Sequence, residues 1–136
     1  ILAGIRPGVP VKQIQKEAHA RMDALLARTR FLKPEYERAA KKFVEPFANP
    51  SGRLGHWIGM ATHDVGGTVE MLAPGMVFTI EPALVVPEEK IYIRLEDMVL
   101  VTDKGAEVLS DFVPRTLAGI EKVMKEDGLL DKHAKQ

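Results

Sequence analysis

The chain has 136 residues, of which 46% are hydrophobic and 28% charged, so it can bury a core and is not a disordered or collagenous sequence. Nineteen Lys and Arg residues balance nineteen Asp and Glu residues, and no apolar run approaches the ~20 residues that span a bilayer, so no nucleic-acid or membrane partner is expected. There are no cysteines, which excludes disulfide scaffolds and cysteine nucleophiles and favours a cytoplasmic location.

The first third of the chain predicts two helices. Apolar residues recur at helical spacing over residues 10–28, behind Pro10, which suits a first helical turn. A second helix is predicted from Pro34 to about Phe43. The sequence Asn-Pro-Ser-Gly at 49–52 then breaks the chain.

The second half predicts strands, because short β-branched runs alternate there with Gly and Pro. Residues 76–80 follow a Pro-Gly turn and predict a buried strand. Residues 91–96 alternate apolar and polar side chains and predict a strand. A hairpin is predicted between residues 98–102 and 107–109.

The end of the sequence predicts one more helix. Thr116 can cap a helix that runs to about Gly128, with an inward face formed by Leu117, Ile120 and Met124. The tail over residues 131–136 is expected to be mobile. Helices followed by an antiparallel sheet and a helix indicate an α+β fold.

Two imidazoles, His56 and His63, lie seven residues apart in a glycine-rich stretch. Imidazole is a common ligand for catalytic metals, and it can also stabilise a developing oxyanion. The alternative is a pair of polar loop residues beside a buried Trp57. The residues alone leave both interpretations open.

Two carboxylates stand at predicted strand ends. Glu81 follows the buried strand directly and precedes Pro82, and burying it is costly unless it is paired or bound to a metal. The alternative is a salt bridge or an exposed strand end. Glu96 shares a face with Tyr92 and Arg94 at strand periodicity, so it could reach a metal with Arg94 balancing the charge. The alternative is a half-solvated strand.

Asp64 and Asp97 each lie next to a candidate residue, and both are expected to be structural. Asp64 could also orient His63 through a hydrogen bond. The candidates together comprise one imidazole and two carboxylates on separate segments, with a second imidazole nearby. Such a set suits manganese, cobalt, iron or zinc, and it does not suit copper or an iron–sulfur cluster.

Three stretches, in this order, resemble signatures of the proline-specific metallopeptidases of family M24, aminopeptidase P and prolidase. They are residues 56–66, 74–82 and 93–102. The resemblance implies the pita-bread fold that these enzymes share with methionine aminopeptidase, with helices covering an antiparallel sheet. Residues 1–136 would form the C-terminal part of a single metallopeptidase catalytic domain, which is about the C-terminal half of that fold.

The resemblance also implies roles. His56, Glu81 and Glu96 would be metal ligands, with Glu96 bridging two divalent ions, manganese ahead of cobalt, zinc or iron. His63 would hydrogen-bond the substrate and steady the tetrahedral intermediate, and Arg94 would support the metal site. A metal-activated hydroxide would attack the N-terminal Xaa-Pro bond of a proline-containing peptide, while Glu81 shuttles the proton.

Two features depart from the family pattern. The first two family ligands are aspartates, and acids in residues 1–49 lie only in helical sequence or at a helix end, so those ligands are expected in a missing N-terminal half. Gly52 stands where the family has a further active-site histidine. We therefore expect this chain to supply part of a dinuclear site, to be inactive alone and to form a homo-oligomer through unpaired strand edges. The alternative is a degenerate binding module of the same fold without catalysis.

Overall fold

The computed structural model describes residues 1–128, and the tail predicted to be mobile lies outside them. Within these residues, none of the helices combines the length and the hydropathy needed to cross a bilayer. Two short 3-10 turns, Leu2–Gly4 and Pro87–Glu89, accompany the regular elements. In chain order these elements are α1 (Val11–Leu26), α2 (Pro34–Ala48), β1 (Val77–Ile80), β2 (Ala83–Val86), β3 (Ile91–Arg94), β4 (Asp97–Thr102), β5 (Gly105–Val108) and α3 (Leu117–Val123).

The first two helices are confirmed, and the second is longer than predicted. Helix α2 continues past Phe43 to Ala48 although Pro46 lies inside it and cannot donate a backbone hydrogen bond. Val44 is buried, and the ring of Phe47 lies 6.2 Å from that of Phe43. The burial of Val44 and the packing of the two half-buried rings therefore outweigh the missing hydrogen bond.

The strands form two antiparallel sheets. The larger has the order β1-β4-β5, and the smaller pairs β2 with β3. Strand β2 was not predicted, because Pro82 suggested that regular pairing stops there; pairing with β1 does stop, and a new strand begins at Ala83. The predicted strand over residues 91–96 is too long, since β3 ends at Arg94. Tyr92 and Ile93, which are consecutive residues of β3, are both exposed, so neither face of β3 is fully covered in the described structure.

The core lies between α1 and the larger sheet. The central strand β4 contributes Val99 and Val101, both with no exposed surface. Burying an aliphatic side chain of this size contributes roughly 1.5–3 kcal/mol. The shared cluster fixes α1 against the sheet, and it consists of Ile5, Val11, Ile14, Leu72, Phe78, Ile80, Val99 and Val101.

Helix α3 is confirmed at its start and corrected at its end. The Thr116 hydroxyl accepts a hydrogen bond from the Gly119 N–H, as a helix cap does. The helix ends at Val123, and its predicted inward face is wrong, because Leu117 and Met124 are 75% and 78% exposed. Helical spacing shows which residues share a face, and it does not show that another element packs against that face.

Candidate metal centre

The three predicted ligands come together in space. His56 Nε2 lies 3.6 Å from Glu81 Oε1 and 3.9 Å from Glu96 Oε1. One nitrogen or oxygen atom from each residue lies within 4.8 Å of the others, and within residues 1–128 no other group of three His, Asp or Glu residues does so. The side chains of His56 and Glu81 are mostly buried, whereas that of Glu96 is 45% exposed. The cluster is therefore open to solvent on the Glu96 side.

The register of the two sheets explains why the glutamates meet. Ile80 pairs with Asp97 in the larger sheet, and Ala83 pairs with Arg94 in the smaller one. Between these pairs the chain passes twice from one sheet to the other, once at residues 81–82 and once at residues 95–96. Because the two crossings lie side by side, Glu81 and Glu96 are brought together although fifteen positions separate them in the sequence.

Backbone pairing along the free edge of β1 positions His56. The Thr79 N–H donates to the His56 carbonyl at 2.9 Å, and the Ile58 N–H donates to the Val77 carbonyl at 3.2 Å. A Cβ at Gly55 would lie 1.9 Å from the Thr79 carbonyl oxygen, so only glycine permits this close approach. The glycine before His56 therefore has a definite structural reason.

The second imidazole of the sequence motif, that of His63, lies next to the cluster. The His63 ring centroid lies 4.2 Å from that of His56. His56 Nδ1 lies 3.0 Å from the Trp57 carbonyl oxygen, which can only accept, so Nδ1 is the donor in this bond. Nε2 faces the two carboxylate oxygens, an arrangement that a cation between the three atoms would stabilise. Trp57 itself is half-buried, edge-on to Phe78, whereas the alternative interpretation of this stretch had it buried.

Arg94 contacts the cluster directly. Its Nη1 donates to Glu81 Oε2 at 2.6 Å, while Glu81 Oε1 lies 3.2 Å from the Thr79 hydroxyl. Both oxygens of Glu81 are therefore oriented by donors. Glu96 accepts no hydrogen bond from the described residues, which leaves its oxygens available to a ligand.

The two neighbouring aspartates have structural partners. Asp64 Oδ1 accepts from the Val65 N–H at 2.7 Å, and this bond lowers the pKa of the Asp64 carboxyl. The structure thus gives Asp64 a local backbone partner in place of the suggested His63. Asp97 accepts from the Ser110 hydroxyl at 2.9 Å and from Arg115 Nη1 at 3.1 Å. These bonds anchor the start of β4 directly after Glu96.

Two buried polar residues escaped sequence reasoning, Thr79 and Gln15. The Gln15 amide accepts from the Gly52 N–H at 3.0 Å and donates to the Arg53 carbonyl at 2.8 Å. Gly52 has a positive φ of 77°, which favours glycine. Through these two hydrogen bonds the Gln15 amide holds the loop that leads into His56. The available signal was a polar side chain next to Ile14 on the inward side of an amphipathic helix.

A cleft of about 540 Å³ adjoins the cluster. Besides His56 and Glu96 it is lined by apolar side chains, among them Ile58, Met60 and Met98, and by the hydroxyl residues Thr62, Thr79 and Ser110. A larger open cleft of about 840 Å³ lies where α1 ends and α2 begins, and none of the predicted site residues lines it. The smaller cleft is therefore the one that a molecule reacting at the cluster would occupy.

Known proteins resemble this chain in sequence and in fold. The model of metallopeptidase family M24 matches residues 1–103. The Xaa-Pro aminopeptidase of Escherichia coli (strain K12) is 34% identical over 132 residues, covering 88% of this chain and 30% of its own length. That of Haemophilus influenzae is 37% identical over 83 residues, covering 52% and 19%. The structure of zinc-substituted E. coli aminopeptidase P in complex with product is 31% identical with a TM-score of 0.64, covering 90% of this chain and 30% of that one. The chain thus spans less than a third of these relatives, and its fold corresponds to that part of the pita-bread fold.

Proposed function

The chain belongs to metallopeptidase family M24, and from this premise we propose that it supplies the metal ligands His56, Glu81 and Glu96 to a peptidase that cleaves the N-terminal Xaa-Pro bond of peptides. Residues 1–136 would be part of a single catalytic domain. The observation that carries the proposal is the approach of the three ligand atoms to within 4.8 Å of one another. The similar curated relatives are Xaa-Pro aminopeptidases, which supports the substrate class.

The donor set fits a divalent cation. One imidazole nitrogen and two carboxylate groups suit manganese, cobalt, zinc or iron, and we propose manganese. The free oxygens of Glu96 support a bridging role between two ions, so that this chain would hold part of a dinuclear centre. Ions bound here would act as Lewis acids and lower the pKa of water.

The side chains around the cluster have distinct proposed tasks. Glu81, oriented through both oxygens, accepts a proton and returns it. Arg94 balances the Glu81 charge and fixes that carboxylate. His63, whose ring lies next to His56, donates a hydrogen bond to the substrate carbonyl oxygen as negative charge develops there. Glu81 and His63 are therefore the proposed catalytic residues.

Metal titration of the purified chain tests the centre. We expect Mn²⁺ or Co²⁺ to bind to the unaltered chain and binding to be lost in His56→Ala and Glu96→Ala. Glu107→Gln is a matched control, because Glu107 is an exposed carboxylate on β5 outside the cluster. Equal binding by all of these proteins would contradict the proposed ligands. A folded chain that binds no divalent cation would instead support the degenerate binding module.

A chimera tests the activity. In it, this chain replaces the matched 30% of the E. coli relative, and hydrolysis of an Xaa-Pro peptide is measured with Mn²⁺. We expect turnover by the chimera, none by residues 1–136 alone and none by the chimera with Glu81→Gln. A folded, metal-loaded chimera without turnover would contradict the peptidase role. The cytoplasmic location and the homo-oligomer stay predictions.

A further inference from the structure

Thr79 is a buried polar residue that touches two members of the cluster. It is 2% exposed and lies on β1, two residues before Glu81. Its Oγ1 lies 3.0 Å from the backbone nitrogen of His56 and 3.2 Å from Glu81 Oε1. One hydroxyl thus connects the backbone that carries the imidazole to the carboxylate opposite it.

The hydrogen count fixes the direction of both bonds. The His56 N–H can only donate, so the hydroxyl oxygen accepts from it. The single hydroxyl proton is then free to point to Glu81 Oε1, which is an acceptor. Arg94 Nη1 holds the other oxygen at 2.6 Å. Glu81 therefore has two donors at fixed positions, and one of them is tied to His56.

The oxygen that Thr79 contacts is also the one nearest the imidazole. Glu81 Oε1 lies 3.6 Å from His56 Nε2. Without the hydroxyl, Oε1 would have no donor among the described residues that holds it at this distance. The partly buried His56 N–H would also lose its acceptor.

We propose that Thr79 is a positioning residue whose hydroxyl sets the separation of His56 Nε2 and Glu81 Oε1 and thereby the affinity of the cluster for a divalent cation. The inference rests on the proposed function, since it concerns the same cation. Groups that orient metal ligands typically change metal affinity by about 10- to 100-fold when removed. The alternative is an ordinary strand residue that contributes only to packing.

Two substitutions separate these roles. Thr79→Val keeps the shape of the side chain and removes the hydroxyl, whereas Thr79→Ser keeps the hydroxyl and removes a buried methyl group. Packing alone predicts that Thr79→Ser is the more damaging change. A positioning hydroxyl predicts the opposite order in cation affinity. Thr102→Val is the matched control, because it removes a threonine hydroxyl at the far end of β4, where the partners are the Gly105 carbonyl and the Lys104 N–H.

The experiment titrates the full chain with Co²⁺, followed by calorimetry and by the visible absorption of the bound ion. We expect Thr79→Val to weaken binding by about 10- to 100-fold and to change the absorption spectrum, with Thr79→Ser and Thr102→Val close to the unaltered chain. If Thr79→Val does not fold, Thr79→Ala replaces it, since alanine and serine at this position differ only by the hydroxyl.

The outcomes distinguish this inference from the proposed function. Unchanged Co²⁺ affinity in the folded hydroxyl-free variant, or equal weakening by Thr79→Ser, overturns the positioning role and leaves the centre intact. An unaltered chain that binds no Co²⁺, or binds it equally well after His56→Ala, overturns the proposed centre and this inference together. Weakened Co²⁺ binding in Thr79→Val, together with binding close to that of the unaltered chain in Thr79→Ser, supports both the positioning role and the proposed centre.

Discussion

Replacing Gly55 with alanine is expected to displace His56 from the ligand cluster, although Gly55 is not itself a proposed ligand. The new Cβ would lie 1.9 Å from the Thr79 carbonyl oxygen, about 1.5 Å short of the 3.4 Å at which ordinary contact begins. It would also lie 2.5 Å from Thr79 Oγ1. Because the carbonyl belongs to the backbone of β1, the segment carrying His56 is the part that must move.

The magnitude follows from the bonds that this movement breaks. Two hydrogen bonds join His56 to Thr79, one at 2.9 Å through the backbone and one at 3.0 Å to the hydroxyl. Each contributes about 1 kcal/mol net, so we expect the free energy of unfolding to fall by about 2 kcal/mol or more. Displacing the imidazole by more than an ångström from the carboxylates should also abolish measurable Co²⁺ binding.

Urea unfolding followed by the fluorescence of Trp57, the single tryptophan, measures the stability, and a Co²⁺ titration measures the site. Gly67→Ala is the control, because a Cβ there would meet nothing within 4 Å. We expect the control to stay within about 0.5 kcal/mol of the unaltered chain. If Gly55→Ala unfolds at the same urea concentration and binds Co²⁺ equally well, the reasoning about the 55–58 segment is refuted.

Two further predictions concern the supports of the fold. Gln15→Met should lower the free energy of unfolding by about 2 kcal/mol or more, because it leaves the Gly52 N–H and the Arg53 carbonyl without their partner; urea unfolding checks this, and an unchanged midpoint would contradict it. The Lys33 ammonium, and after it the Tyr36 hydroxyl, holds the pKa of the Glu89 carboxyl below its usual value. Its contribution to stability is therefore present above the ordinary carboxyl pKa and is lost as the pH falls through the lowered one. Melting temperatures measured against pH should show a shallower acid decline in Glu89→Gln, and identical profiles would refute this.

The helices were predictable because local spacing decides them. Residues 10–28 predicted α1 within two residues at either end. The end of α2 was missed, since the sequence does not reveal that Val44 would be buried beyond the apparent stop. Strand β2 was missed for a related reason: Pro82 does end one ladder, but a second ladder begins immediately, and its paired residues lie five to eleven positions apart in the sequence.

The candidate site was predictable only through the resemblance. Taken singly, His56, Glu81 and Glu96 each had an ordinary interpretation, and nothing in their spacing required them to meet. Their approach depends on the register of four strands, which is a property of long-range pairing. Thr79 was invisible for the same reason, because a threonine in a strand has no sequence signal that distinguishes a solvated hydroxyl from a bridging one.

A metal ion bound at the two crossings between the sheets would affect the stability of the fold. Glu81 lies at one of these crossings and Glu96 at the other, and the ladders on either side of them belong to separate sheets. A cation bound by both carboxylates would link the two crossings, and it would bind the folded chain in preference to the unfolded one. Thermal stability should then rise with the logarithm of the metal concentration above the dissociation constant, so that the same ion would also stabilise the fold.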